Sequence, residues 1–284
     1  MPKHVIIAND LAGMGKVAML PSMVVMANCQ IETSLLPTVI LSSHTGGFSD
    51  IFVEDYSQKA REFLKQWDEI ERPIHGIVTG YVTSDSLVDE IVTFAKQKRL
   101  PLLVDPIMGD RGQLYAGFDL RQVQNLKRLA KEAELLLPNL TEAVFLTGRP
   151  YLGETYHRAD VEALLVALSE LGPKQVIITG VSLEEGKLGA AYYHARTGQF
   201  SYFAGPASPH HFFGTGDLFT SIVSAFYIQG APLEEGIKTA LDFIEQTIET
   251  TLALGRDLKY GLYFEPHLAR LIQHITPYLE EKDD

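Results

Sequence analysis

Two hydrophobic periods alternate along this chain, and that alternation restricts the fold more than any other feature. Short apolar runs rich in β-branched residues stand at residues 5–8, 39–41, 77–79, 102–104, 135–137 and 176–179, each ending in turn-formers. Continuous apolar runs of this length fit strands buried on both faces. Between them, residues 57–67, 84–98 and 158–171 carry apolar side chains at helical spacing. Strand, helix, strand in repetition predicts an α/β protein, a three-layer sandwich with a mostly parallel central sheet flanked by helices. The pattern changes past Gly189. Residues 190–194 and 200–203 flank Thr197-Gly198, which predicts an antiparallel hairpin over residues 190–204. Long helical stretches follow.

At 284 residues the chain can bury a large core without staples. That length permits two domains, but α/β domains of this size are common, and residues 1–284 are read as one. The single cysteine, Cys29, has no partner within the chain, which points to a reducing compartment and a role as a small buried hydrophobe. A formal net charge of -12 argues against non-specific binding to nucleic acid or anionic membrane. No basic region precedes an apolar segment at the N-terminus, and no apolar run approaches the about 20 residues of a spanning helix. A cytoplasmic protein is expected, with a charged tail at 280–284 that frays.

The sharpest local signal is Gly214-Thr215-Gly216-Asp217 ahead of a helix with an apolar face. A glycine-flanked helix N-terminus offers free N–H groups and a positive dipole end to an anion. Asp217, in the first turn, either caps that helix or takes a proton from an attacking hydroxyl. Three further polar segments follow strands, at the edge where open α/β sheets bind ligands. Asp105 and Asp110 suit a hydrated Mg²⁺ held with phosphates, or an Asp-Pro turn with a cap. Asn139 and Glu142 stand at capping-box spacing. Tyr81, after Thr79-Gly80, could stack on a ring or pack.

The first strand ends in residues 9–16, NDLAGMGK. Its Gly13 and Gly15 are too little for a dinucleotide fingerprint, and Lys16 lacks the phosphate-loop frame. His44, in a polar loop, could be a base, a metal ligand or a loop contact. His210 and His211, adjacent and pointing apart, read as part of a lid.

In order along the chain, NDLAGMGK, PTVILSSHTGGF, TGYV, VDPIMGDRGQLY, LLPNLTEAVFLTG, VIITG and GTGDLF resemble the pyridoxal/pyridoxamine (vitamin B6) kinase family of the ribokinase-like superfamily. These strings run from Asn9 to Phe219. The resemblance implies a ribokinase-like fold and a pyridoxal kinase, which transfers phosphate from ATP to the hydroxymethyl group of pyridoxal, pyridoxine or pyridoxamine. A hydroxymethylpyrimidine kinase of thiamine metabolism would share the catalytic residues; a non-catalytic B6 or nucleotide-binding relative would keep the fold.

Residue by residue, the resemblance makes Asp217 the base and Gly214, Thr215 and Gly216 the anion hole. Asp105, Asp110 and Glu142 would organise metal and phosphates. Tyr115, Asn139, Thr179, His210 and Phe213 would lie with them on the nucleotide, and Asn9, Asp10, Thr45 and Tyr81 would line the ring pocket. The resemblance implies ATP and Mg²⁺, leaves a monovalent cation such as K⁺ open, and favours a homodimer. Two positions depart from it. Many relatives have Ser-His where Asn9-Asp10 stands, and Leu137 occupies a position that is often threonine.

Overall fold

The computed structural model describes residues 2–153 and 155–279; the tail expected to fray lies outside the described residues. In chain order the elements begin β1 (Lys3–Ala12), α1 (Met19–Asn28), β2 (Ile31–Leu41), β3 (Val53–Asp55), α2 (Ser57–Asp68), β4 (Gly76–Thr79) and α3 (Asp85–Lys98). Next come β5 (Leu102–Val104), β6 (Gly109–Asp110), β7 (Gln113–Leu114), α4 (Leu120–Lys131), β8 (Leu135–Leu136), α5 (Leu140–Thr147) and α6 (Arg158–Ser169). The last are β9 (Gln175–Val181), β10 (Lys187–His194), β11 (Gln199–Pro206), α7 (Thr215–Gln229), α8 (Leu233–Ala253) and α9 (Leu268–Ile275). They fall into two compact units. The first takes the described residues up to Asp55, Pro73–His75 and those from Ser208 on; the second takes Tyr56–Arg72 and Gly76–Ala207.

In the first unit β1 and β2 run parallel, and the short β3 closes antiparallel on β2. The β1–β2 ladder is regular from Lys3↔Ile31 to Asn9↔Pro37, then slips before Leu11↔Ile40. Pro37 has no N–H to give to a ladder, and the slip falls there, opposite Asp10. Extra residues of this kind re-aim side chains beside functional sites. Helix α7 packs against both α1 and α8. Its apolar side chains Leu218, Phe219, Ile222, Val223 and Phe226 are buried. Gly236 lets α8 come close, since a Cβ there would sit 2.9 Å from Phe226 Cβ.

In the second unit the strands lie in the order β11-β10-β9-β8-β5-β4. Strands β4, β5, β8 and β9 pair in parallel, whereas β10 is antiparallel to both β9 and β11. The predicted α/β class, mostly parallel pairing and antiparallel hairpin are therefore all present. The hairpin is longer than its signal, Lys187 facing Pro206 at its base. It is closed by Gly198 at φ 68°, whose N–H donates to His194 carbonyl at 2.9 Å. Capping boxes open α4 at Asp119–Gln122 and α5 at Asn139–Glu142. Among the described residues no helix is long and apolar enough to cross a membrane.

The α4 cap makes a clean test of this local physics. Asp119 accepts the Arg121 N–H at 2.7 Å, so Asp119→Ala should cost about 1 kcal/mol in urea denaturation. Asp119→Asn, which still caps, should cost far less.

Candidate active site

The first unit gathers one set of predicted residues around the start of α7. Gly214 precedes the helix at φ 89°, and a Cβ on it would lie 2.4 Å from the Lys16 carbonyl oxygen. Only glycine meets both demands. With no side chain at this position to cap the helix, the first-turn N–H groups at Thr215, Gly216 and Asp217 keep the positive end of the dipole available. A Cβ on Gly216 would meet nothing within 4 Å, so the backbone there is open to close approach.

Asp217 is the third residue of α7, and the backbone N–H of Ala18 lies near enough to its carboxylate to favour the charged form. The cap position of the helix is held by Gly214, and Asp217 does not cap it. Burial lifts the Asp217 carboxyl above its usual range, while the nearby Ala18 N–H and then the His44 ring pull the other way. Asn9 and Asp10 lie buried at the slip in β1, with Asn9 Oδ1 accepting the Asp10 N–H at 3.0 Å. Burial, and then the charge of Asp217, push the Asp10 carboxyl up to about 7, opposed in part by its own backbone N–H.

His44 proves to be a loop anchor. Its Nδ1 accepts the Gly46 N–H at 3.1 Å and its Nε2–H donates to the Lys259 carbonyl at 2.5 Å. The glycines of residues 13–15 serve this packing: a Cβ on Gly15 would lie 2.5 Å from the His44 ring, and one on Gly13 would lie 3.1 Å from Ser42 O. Thr45, exposed, rides on the anchored loop. Phe213 packs on Ala12, Val17 and Ala18, stands 4.8 Å from the His44 ring and fills the space left by Gly46. It thus belongs to the first unit with the Thr45 loop and His210, whereas Tyr115, Asn139 and Thr179 belong to the second. His211 meets the Phe213 ring edge-on at 5.0 Å, while His210 is exposed beside Phe212.

The second unit gathers the other set around the start of α5. Glu142 Oε1 accepts the Met108 N–H at 3.1 Å, and Oε2 accepts the Asn139 N–H at 2.8 Å. Asn139 Oδ1 accepts the Glu142 N–H at 3.0 Å while its Nδ2 donates to Gly109 O at 2.8 Å. Thr141 Oγ1 accepts the Gly112 N–H at 2.8 Å. These side chains, Thr141 unforeseen among them, clamp the β6–β7 hairpin that carries Asp110. Thr179 N–H donates to Pro138 O at 2.9 Å, which sets β9 beside Asn139.

Asp105 and Glu142 are both buried. Burial and the Asp105 charge hold the Glu142 carboxyl well above its usual range, against the N–H groups of Asn139, Met108 and Gly109. Asp110 accepts the Arg111 N–H at 2.8 Å. Tyr115 is exposed. Tyr81 packs edge-on against Phe118 at 5.3 Å. Thr79 Oγ1 is buried with no hydrogen-bond partner. Among the described residues no three His, Cys, Asp or Glu side chains gather into a cage for an ion. Two adjacent buried carboxylates still suit Mg²⁺, which takes one or two carboxylates and completes its shell with phosphates and water.

A family model described as phosphomethylpyrimidine kinase matches residues 26–261. The chain belongs to that family. Its fold superposes on a Bacteroides thetaiotaomicron protein provisionally named a phosphomethylpyrimidine kinase, at TM-score 0.91 and 30% identity over 95% of this chain and 94% of the other. A second crystal form of that protein was solved with pyridoxal. Pyridoxal kinase from Lactobacillus plantarum matches at TM-score 0.88 and 30% identity over 95% and 97%. A hydroxymethylpyrimidine/phosphomethylpyrimidine kinase of Staphylococcus aureus is 28% identical over 188 residues, 64% of this chain. That match spans 65% of the curated relative's own length. The resemblance read from the motifs therefore holds at the level of the family, and the ribokinase-like fold with it.

The Asp10 carboxyl gives this family member a pH signature. Its ordinary value is 3.8 and its folded value about 7, so between the two the folded chain holds a proton that the unfolded chain has lost. The Asp10 contribution to stability must then fall as pH rises from about 4 to about 7, and stay level above. Asp10→Asn cannot ionise. Its stability relative to the parent should climb through that window, by up to ~4 kcal/mol. Urea denaturation across the range checks this; a pH-independent difference would mean an ordinary Asp10.

Proposed function

We propose that this chain is an ATP-dependent kinase that phosphorylates the hydroxymethyl group of a B6 vitamer, with residues 1–284 acting as one kinase domain. The observation that carries the reading is Asp217: a carboxylate in the first turn of a helix whose glycine-flanked N-terminus is open to an anion. In-line transfer needs those two things side by side. Asp217 accepts the hydroxyl proton as the substrate oxygen forms its bond to the γ-phosphorus. The bond from that phosphorus to the departing ADP oxygen breaks in the same displacement. The N–H groups at Thr215, Gly216 and Asp217 oppose the charge on the transferred group.

Asp105, Glu142 and Asp110 are the residues for Mg²⁺, which when bound neutralises phosphate charge. Asn139, Thr179, Tyr115, His210 and Phe213 are assigned to the nucleotide, though Phe213 also suits the ring pocket because it packs with the His44–Gly46 loop. Asn9, Asp10, Thr45 and Tyr81 are assigned to the ring. The pyridoxal-bound Bacteroides relative supports a B6 substrate. The family's name and the Staphylococcus relative support a second reading, hydroxymethylpyrimidine kinase. Cys29, buried and with its thiol pushed up to about 12 by that burial, fits a reducing compartment such as the cytoplasm.

Turnover with pyridoxal, pyridoxine, pyridoxamine and hydroxymethylpyrimidine, measured side by side as ADP release, separates the two readings. With the preferred substrate, Asp217→Asn should lose about 10²–10⁴-fold in kcat, while calorimetry finds ATP affinity nearly unchanged. Near-normal turnover in that variant would exclude Asp217 as the base.

A further inference from the structure

Ala18 precedes α1 at φ 56° and ψ −125°, a backbone region that side chains with a Cβ rarely enter. Such a conformation persists only where its surroundings over-determine it. Here a run of polar contacts between α1 and α7 does so. The Ala18 N–H lies beside the Asp217 carboxylate and favours its charged form. The Ala18 carbonyl accepts the Ser22 hydroxyl at 3.2 Å. The single Ser221 proton is directed at both Ser22 Oγ, 2.9 Å away, and the Asp217 carbonyl oxygen, 2.5 Å away. Both hydroxyls are buried, Ser221 completely. The run therefore leaves Asp217 at its carboxylate, crosses the two peptide units on either side of the Ala18 Cα and then two serines, and returns to Asp217 at its own carbonyl.

We propose that Ala18, Ser22 and Ser221 are positioning residues that hold the Asp217 carboxylate in the orientation its proton-accepting role requires. The inference rests on the reading of Asp217 as the base. The pull of the Ala18 N–H on the carboxylate orients it while it remains able to take the proton of a substrate hydroxyl. The serine pair fixes the Ala18 peptide on the turn of α7 that carries Asp217. The strained peptide is the means: a relaxed backbone at residue 18 would turn that N–H elsewhere. Misplacement of a reacting group by about 1 Å is enough to cost up to about 10²-fold in rate.

Three variants test this by kcat, KM for ATP, the pH profile of kcat and thermal unfolding. Ser221→Ala opens the run. Its kcat should fall about tenfold with KM for ATP within about twofold. Its acid limb should move to higher pH, because a loosened Ala18 N–H favours the charged carboxylate less. Ser221→Thr keeps the hydroxyl and should recover most of the rate. Ala18→Gly keeps the N–H but removes the strain. It should unfold at the same or a higher temperature yet turn over more slowly, a combination that a purely structural role does not produce. Parental kcat and acid limb in both Ser221→Ala and Ala18→Gly would overturn the proposal. So would a rate loss that follows thermal destabilisation with the acid limb unmoved. Asp217→Asn, assayed in parallel, separates the two levels. If it is active, the base assignment fails and the proposal falls with it; if it is inactive while the other variants behave as parent, the base stands and the positioning role is wrong.

Discussion

A carboxylate taken out of water costs several kcal/mol unless something opposes its charge, and each unit of this protein holds a pair of carboxylates withdrawn from solvent in whole or in part. Asp10 and Asp217 form one pair, Asp105 and Glu142 the other. Peptide N–H groups take a large part in the response: Ala18 for Asp217, and Met108, Gly109 and Asn139 for Glu142. The loops that carry those N–H groups are bound to unusual shapes as a result. Ala18 accepts a positive φ, Gly214 lies against the Lys16 carbonyl, and a Cβ on Gly109 would fall 2.3 Å from Gln113 O. Opposition is incomplete in both pairs, so Asp10 and Glu142 titrate well above ordinary carboxylates. A carboxyl poised near neutrality, as Asp10 is, can change its protonation state where an ordinary one stays ionised.

Much of this frame was legible in the sequence, and the parts that were not have identifiable causes. The run at residues 102–104 is β5 to the residue, because a strand buried on both faces has no polar position to blur its ends. Strand β2 is longer than its apolar run. Its first seven residues include Glu32, Thr33, Ser34 and Pro37 and are held in place by pairing with β1, a long-range bond that no local pattern announces. Helix α1 hides for a different reason. Pro21 stands in its first turn, where a missing N–H does no harm, but in sequence it reads as a break. Helix α4 is the reverse case. Its Asp119–Gln122 capping box and its buried Val123, Leu126 and Leu129 are a plain local signal that attention to the strand ends passes over.

The same division runs through the site. Asp217, Gly214, Asn139 and Glu142 announce themselves because glycine, aspartate and capping pairs are rare combinations at such spacings. Residue type alone says nothing of Ala18, Ser22 or Ser221. Their part comes from one backbone angle and from the packing of α1 on α7, two elements nearly two hundred residues apart in the chain. Phe213 shows the same effect in its packing. Gly46 has no side chain, and the Phe213 ring fills that space beside His44. A glycine in one loop decided where an aromatic from another would lie.

Substrate choice, on the proposed reading, turns on the residues least covered by resemblance. The family match begins at residue 26, after Asn9 and Asp10. What those two can offer a ring follows from their burial. With its carboxyl near 7, Asp10 is partly protonated at neutral pH, and a protonated carboxyl donates one hydrogen bond where the ionised form only accepts. A pyridine ring with an ionised ring hydroxyl presents an acceptor and is served by the neutral form. An aminopyrimidine presents an exocyclic amine, a donor, and is served by the ionised form. Because the charge of Asp217 raises Asp10, the group assigned to the chemistry also biases which ring the neighbouring carboxyl suits. On that reading, a change at Asp217 acts on ring choice as well as on the chemistry, because it alters the charge that Asp10 faces.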